Sequence, residues 1–211
     1  MARNQELYEA IMKGKRDVVV AVLQKAAAAK ADMAEILDYS MIPAMREMGD
    51  RFSRNEVYVP EMLIAARAMQ AGLAIVEPIL ANTDHEPLGK VCVGTVKGDL
   101  HDIGKNLVAI MLKGAGYDVV DCGVNCDTNK FDEAVAKGAT VVCCSALLTT
   151  TMPYMKVVID AFGAQPDLAH VKLAVGGAPV NRMFADEIGA DGYGADAPSS
   201  VEMFLRFINA A

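Results

Sequence analysis

In the C-terminal half of the chain a histidine follows a carboxylate by two residues, in the order Asp99-Leu100-His101-Asp102-Ile103-Gly104. At that spacing the carboxylate can accept a hydrogen bond from one ring N–H, which fixes the tautomer and makes the other nitrogen a better metal donor. His101 is the only imidazole in this stretch, and neither His85 nor His170 has such a neighbour. Zinc held by protein alone wants three or four side-chain ligands, so one histidine makes a poor zinc site. A metal held mainly by its own macrocycle needs only one. On these residues alone two plainer readings stay open: a histidine satisfied structurally at a strand end, and an Asp99 that merely caps the next helix. The five cysteines, Cys92, Cys122, Cys126, Cys143 and Cys144, form no C-x-x-C pair and read as free thiols packed like small hydrophobes.

The elements that must carry His101 alternate in period. Lys90–Val96 is a short apolar run, followed by a helical pattern from about Asp102 to Gly114 and a second run, Tyr117–Cys122. Runs at 140–145, 171–176 and 191–194 are each followed by helical stretches from near Pro153, Val180 and Ala197. Five strands alternating with five helices predict a doubly wound parallel sheet covered on both faces, in the order 2-1-3-4-5. Ligands of such sheets sit at the carboxyl ends of the strands, where the strand order reverses. The loops there, 98–106, 145–151, 176–179 and 194–197, are rich in Gly, Ala, Ser and Thr, so a large flat ligand could approach the backbone closely.

Residues 4–81 have a different period. Met62, Ala66, Met69, Leu73, Val76 and Leu80 draw one stripe along a helix beginning after Pro60. Ile36, Leu37, Ser40, Met41, Ala44, Met45, Met48 and Phe52 draw another, capped by Asp32 and bent by Pro43. With shorter patterns at Gln5–Met12 and Asp17–Ala29 this predicts a four-helix bundle over 1–81, a polar linker at 82–89 and an α/β domain over 90–211. The chain is therefore expected to be an α plus α/β protein, a helical bundle followed by a five-stranded parallel sheet. Its 211 residues carry 20 Lys and Arg against 27 Asp and Glu, a net charge of −7 that argues against nucleic acid and anionic membrane as partners. The uncharged stretch Ala139–Met155 is too short and too rich in hydroxyls to be a span, and the N-terminus lacks a secretory pattern; a cytoplasmic location is expected.

Asp99-x-His101-x-x-Gly104, then Ser145-x-Leu147, then Gly176-Gly177 match in order and spacing the three-part signature of the cobalamin-binding fold. The N-terminal Glu47-x-Gly49-x-x-Phe52, Val57-Tyr-Val59-Pro60-Glu61 and the helix through Ala68-Met69 look like the helical cap of methionine synthase and of small methanol and methylamine corrinoid proteins. The sequence thus resembles, over nearly its whole length, the corrinoid proteins of anaerobic methyltransferase systems.

That resemblance implies cobalamin, cycling between methylcob(III)alamin and cob(I)alamin, bound base-off with His101 on cobalt. It makes Asp99 the acceptor of the ring's distal N–H and Thr151 the outer member of the relay, where methionine synthase has a serine. The cofactor residues it implies are Gly98, Asp99, His101, Asp102, Ile103 and Gly104; Ser145, Leu147 and Thr149; Gly176 and Gly177; Gly194, Ala195 and Ala197; and, on the cap, Phe52 and Val59. Phe52 reads equally well as bundle core. The implied activity is methyl carriage and not catalysis by the chain alone. The implied partners are a substrate-specific methyltransferase, a second methyltransferase delivering to tetrahydrofolate or coenzyme M, and a reductive activation protein. The loop 146–152 looks closest to the amine and betaine group. A cobalamin-binding sensor shares both modules, but usually carries a DNA-binding domain as well. A mutase subunit would have no use for a bundle cap, and a phosphorylated receiver domain would not need His101.

Overall fold

The structure, a computed structural model, describes residues 3–81, 83 and 86–209. The chain divides into a helical unit ending at Pro87 and an α/β unit beginning at Leu88. Asn82, Asp84 and His85, part of the expected linker, lie outside the described residues.

The helical unit contains four rods: α1 (Gln5–Met12), α2 (Arg16–Ala28), a composite rod from Met33 to Ser53, and α5 (Val59–Leu80). Asn4 and Asp32 open their helices by accepting the backbone N–H groups of Leu7 and Glu35 at 3.0 and 3.1 Å. The composite rod runs as α3 (Met33–Ile36), a π-helical turn (Leu37–Met41) and α4 (Ile42–Ser53). The expected bend at Pro43 takes this form because proline offers no N–H to the Tyr39 carbonyl and its ring crowds that carbonyl, so the ladder widens before it. The α5 helix begins at Val59, ahead of Pro60, correcting the expected start after it. Proline is tolerated in a first turn, where its missing N–H has no intrahelical partner to lose. Both apolar stripes turn inward: the six residues from Met62 to Leu80 are all buried, as are Leu37 to Met48 of the other, with Ile36 and Phe52 half buried at its ends. By length and composition α5 could cross a membrane, but in this fold its apolar stripe is consumed by the bundle.

The α/β unit holds β1 (Lys90–Val96), β2 (Asp118–Cys126), β3 (Val141–Ser145), β4 (Lys172–Gly176) and β5 (Gly192–Gly194), all parallel, in the order β2-β1-β3-β4-β5. The helices between and after them are α6 (Ile103–Gly114), α7 (Thr128–Ala136), α8 (Pro153–Gly163), α9 (Arg182–Ile188) and α10 (Ala197–Asn209). On one face Cys92, Val142, Cys144 and Val175 pack with Phe131, Met155, Val158 and Phe162 from α7 and α8 and with Ile188 from α9. Two boundaries differ from the reading of the sequence. The α9 helix starts at Arg182 because Asn181 caps it, accepting Phe184 N–H at 2.9 Å. The second strand extends to Cys126 through two register shifts against β1, where Gly123 and Asn125 take positive φ; an apolar-run criterion ends at Cys122 because the extension is polar.

Candidate functional site

The strand order reverses between β1 and β3, so the loops after these strands face a common crevice. Register sets a row of small residues along the carboxyl ends: Thr95 pairs with Ser145, Ser145 with Gly176, and Gly176 with Gly194. From β1 the chain passes through Gly98, at φ +84°, into the buried Asp99.

Asp99 organises the crevice. Its Oδ1 lies 2.7 Å from His101 Nδ1 and accepts His101 N–H at 3.1 Å. Its Oδ2 accepts the N–H groups of Leu147 and Leu148 at 2.8 and 3.2 Å and the Thr151 hydroxyl at 2.7 Å. Burial by itself would push this carboxyl up, but the hydrogen bonds from Leu147, Thr151 and His101 outweigh it and hold Asp99 well below the usual carboxylate range. An ionised carboxylate can only accept, so the shared proton sits on Nδ1, and in the neutral ring the lone pair is on Nε2. The ring is half exposed, and Nε2 is the nitrogen left for a ligand. The methyl group that distinguishes Thr151 from serine is accommodated beside Gly98: a Cβ built on that glycine would lie 3.5 Å from Thr151 Cγ2.

Around His101 the loops display apolar side chains to solvent. Leu100 and Ile103 are 71% and 72% exposed, and Leu147 and Leu148 are 44% and 40% exposed. Single exposed leucines are ordinary, but four on two facing loops around one imidazole suit a broad flat ligand that is apolar on its face. Among the described residues no group of three or more His, Cys, Asp or Glu side chains could hold a bare metal ion. The donor set therefore fits a metal that brings its other ligands with it.

Gly104, in the first turn of α6, has nothing within 4 Å of the position a Cβ would take, so internal packing does not require glycine there. Gly104→Ala should stabilise the ligand-free protein by about 0.5–1 kcal/mol through helix propensity. If the loop cradles a ligand, the same change weakens cobalamin uptake. Denaturation of apo-protein and titration with hydroxocobalamin read the two effects separately, and unchanged uptake would remove Gly104 from the site.

The other expected residues lie as follows. Asp102 precedes α6 and is exposed, its Oδ2 accepting Asn106 Nδ2–H at 3.1 Å. Ser145 is half buried at the end of β3 and Thr149 is exposed beyond it. Gly177, at φ +129°, lies against the Ala146 backbone, and Gly176 accepts Ala146 N–H at 3.2 Å, locking the third loop to the fourth. Ala195 is exposed and Ala197 buried at the head of α10. Phe52 and Val59 belong to the helical unit, half buried and exposed respectively. All five cysteines are free. Burial pushes Cys126 up to about 11 and Cys143 up to about 12, which keeps these thiols unreactive.

Reading the sequence missed Leu100 and Leu148 among the exposed apolar residues, and the two groups that tie the loop's backbone, Thr95 and Asn125. The available signals were an apolar pair, Leu100 and Ile103, inside a polar loop, a lone hydroxyl in the apolar β1 run, and an Asn two residues after Gly123.

Two B12 binding domain family models match the chain, one over residues 89–202 and the other over 3–77. A corrinoid protein of Desulfitobacterium hafniense is 37% identical over 212 aligned positions, covering 99% of this chain and 98% of that one. Dimethylamine corrinoid protein 1 of Methanosarcina mazei is 38% identical, over 93% of this chain and 92% of its own. Among solved structures, the methanol:cobalamin methyltransferase complex of Methanosarcina barkeri contains a chain that superposes with a TM-score of 0.85 at 29% identity, covering 98% of this chain and 79% of that one.

Proposed function

Because the chain belongs to the B12-binding corrinoid proteins of anaerobic methyltransferase systems, we propose that it is a methyl carrier, holding its corrinoid base-off with His101 Nε2 on the metal. The observation that carries this reading is the ionised, fully buried Asp99, which fixes the proton on Nδ1 and leaves Nε2 as a half-exposed donor among exposed apolar side chains.

When bound, the corrinoid supplies a cobalt that takes a methyl group in its most reduced state and yields it to an acceptor. The chain's residues orient and tune. Asp99 holds the ring with Nδ1–H turned inward and Nε2 free to donate; Thr151 and the Leu147 and Leu148 amides keep Asp99 ionised while it does so. Were a corrinoid bound, His101 Nε2 would be the protein's donor to its metal, with the Asp99 carboxylate holding Nδ1–H from behind. Gly98, Ile103, Gly104, Ser145, Leu147, Thr149, Gly176, Gly177 and Gly194 are assigned to the corrin and its tail. Phe52 and Val59 are assigned to the methyl-bearing side, with domains 1–81 and 90–211 joined by 82–89.

In this reading a substrate-specific methyltransferase loads the carrier and a second one passes the group to tetrahydrofolate or coenzyme M. A reductive activation protein rescues oxidised corrinoid. The dimethylamine and methanol systems of the relatives support a methylated amine or methanol as donor.

Among the described residues of the crevice, Asp99 is committed to holding His101 and Asp102 to Asn106 on the helix it precedes, a set that supports a metal ligand and not the activation of a methyl donor. Purified protein carrying reduced cobalamin should therefore not demethylate dimethylamine or methanol at a catalytic rate, and should become methylated once the methyltransferase for that donor is added. Spectrophotometry of the cobalt states follows both. Multiple turnover by the chain alone would overturn the carrier reading.

A further inference from the structure

The loop that carries His101 is tied to both flanking strands through its backbone. From β1, the fully buried Thr95 donates its hydroxyl to the His101 carbonyl at 2.8 Å. From the far end of β2, Asn125 accepts Gly98 N–H on Oδ1 at 2.8 Å and donates its own N–H to the Asp99 carbonyl at 3.0 Å. Asn125 is one of few non-glycine residues at positive φ, +51°, in the stretch where β2 shifts register against β1. Irregularities of this kind re-aim side chains beside functional loops.

This irregular stretch is itself anchored. Lys105 on α6, with its side chain only 3% exposed, pairs with Asp121 at 2.6 Å, and Asp121 Oδ1 accepts Gly123 N–H at 2.8 Å. Asn125 is thus held on a braced segment, and its grip on residues 98 and 99 comes from a fixed point. Its side chain and backbone bond the peptides on either side of the Gly98–Asp99 link, while Thr95 bonds the one after His101.

Among the described residues the imidazole's side-chain hydrogen-bond partner is Asp99, so its reach depends on the backbone beneath both residues. We propose that Thr95 and Asn125 are positioning residues that set the placement of His101 toward the metal. The proposal rests on the carrier reading above. Without the Thr95 hydroxyl or the Asn125 acceptor the loop gains alternatives in which Nε2 is displaced, and histidine ligation loses ground to a histidine-off form.

The test uses full-length protein loaded with cobalamin, reduced to Co(II) and labelled with 15N-histidine. Electron paramagnetic resonance then reads the ratio of histidine-on to histidine-off cobalt. Thr95→Val keeps the shape and removes the donor. Asn125→Gly keeps the positive φ at little cost and removes the acceptor. Each should lower the ratio by about fivefold, the effect of one lost hydrogen bond. Thr95→Ser and Asn125→Asp restore the lost group and should restore the ratio. Circular dichroism and bound cobalamin, measured on each variant, identify any that fails to fold, and the other position then decides. If wild-type protein is histidine-on and both Thr95→Val and Asn125→Gly match it, or if the restoring variants are as impaired as the others, the positioning role is wrong. A wild type without histidine nitrogen on cobalt instead overturns the carrier reading's ligand, and with it this inference.

Discussion

His101→Ala protein, loaded with cobalamin and reduced to Co(II), should keep the cofactor and lose every trace of histidine nitrogen from its cobalt spectrum. In the wild type, replacing 14N-histidine by 15N-histidine should change the axial superhyperfine splitting from three lines to two, because the nuclear spin changes from 1 to 1/2. The effect is large because the described residues offer no second imidazole in the crevice, and in the variant Asp99 stays buried, held by the four donors that remain: the backbone amides of residue 101, Leu147 and Leu148 and the Thr151 hydroxyl. Retention is expected because the residues assigned to the corrin tail lie on the β3, β4 and β5 loops, which do not depend on the ring. If the variant retains a nitrogen-ligated spectrum, the ligand is the cofactor's own base. If it loses cobalamin altogether, the imidazole supplies affinity as well as ligation.

Gly177→Ala should be the most damaging small change in the crevice. At φ +129° an alanine is strained wherever it stands, and here its Cβ would also lie 1.9 Å from the Ala146 carbonyl oxygen and 3.1 Å from the Ala146 nitrogen. The obstacle is backbone, so no side chain can swing aside. We expect about 3 kcal/mol or more of destabilisation in urea denaturation of the apo-protein. Gly189→Ala provides the comparison: its φ is +80°, at the end of α9, but nothing lies within 4 Å of the added atom, so it should cost only about 1 kcal/mol. The damage should spread, since Ala146 precedes the Leu147 amide that bonds Asp99. Equal costs for the two variants would mean that the β3 loop can move away, and that the tight β3–β4 contact is not a constraint on the site.

Much of the architecture was legible because it depends on patterns repeated over many residues. The stripe Met62 to Leu80 needs only to keep one face apolar, and β1 needs only to be buried, so the helical and strand periods survive any local detail. Alternation of strands and helices gave the parallel, doubly wound class in the same coarse way, and the expected order 2-1-3-4-5 is the one observed. What misled the reading was local backbone chemistry. Pro60 reads as a boundary although a first turn tolerates it, and an apolar-run criterion ends β2 at Cys122 because the extension through Gly123 and Asn125 is polar. The side chain of Asn181, not the apolar run, decides where α9 begins.

By itself the sequence determined that Asp99 and His101 would stand together at the carboxyl end of a strand, close enough for the carboxylate to orient the ring; that they share a hydrogen bond, at 2.7 Å, is a finding of the structure. It also determined a small-residue rim, because Ser145 and Gly176 each close an apolar run and Gly194 closes the short Gly192-Tyr193-Gly194 segment. Only the tertiary structure decided that Thr151, 52 positions from Asp99, places its hydroxyl 2.7 Å from the carboxylate, and that Thr95 and Asn125 grip the loop from two strands. It alone decided that Leu100, Ile103, Leu147 and Leu148 would be left facing solvent around one imidazole. The difference is one of tolerance. Burial asks only which side of an element a residue is on, whereas a hydrogen bond asks for an oxygen within about 3 Å along one direction. Between segments far apart in the chain, only the folded backbone can supply that.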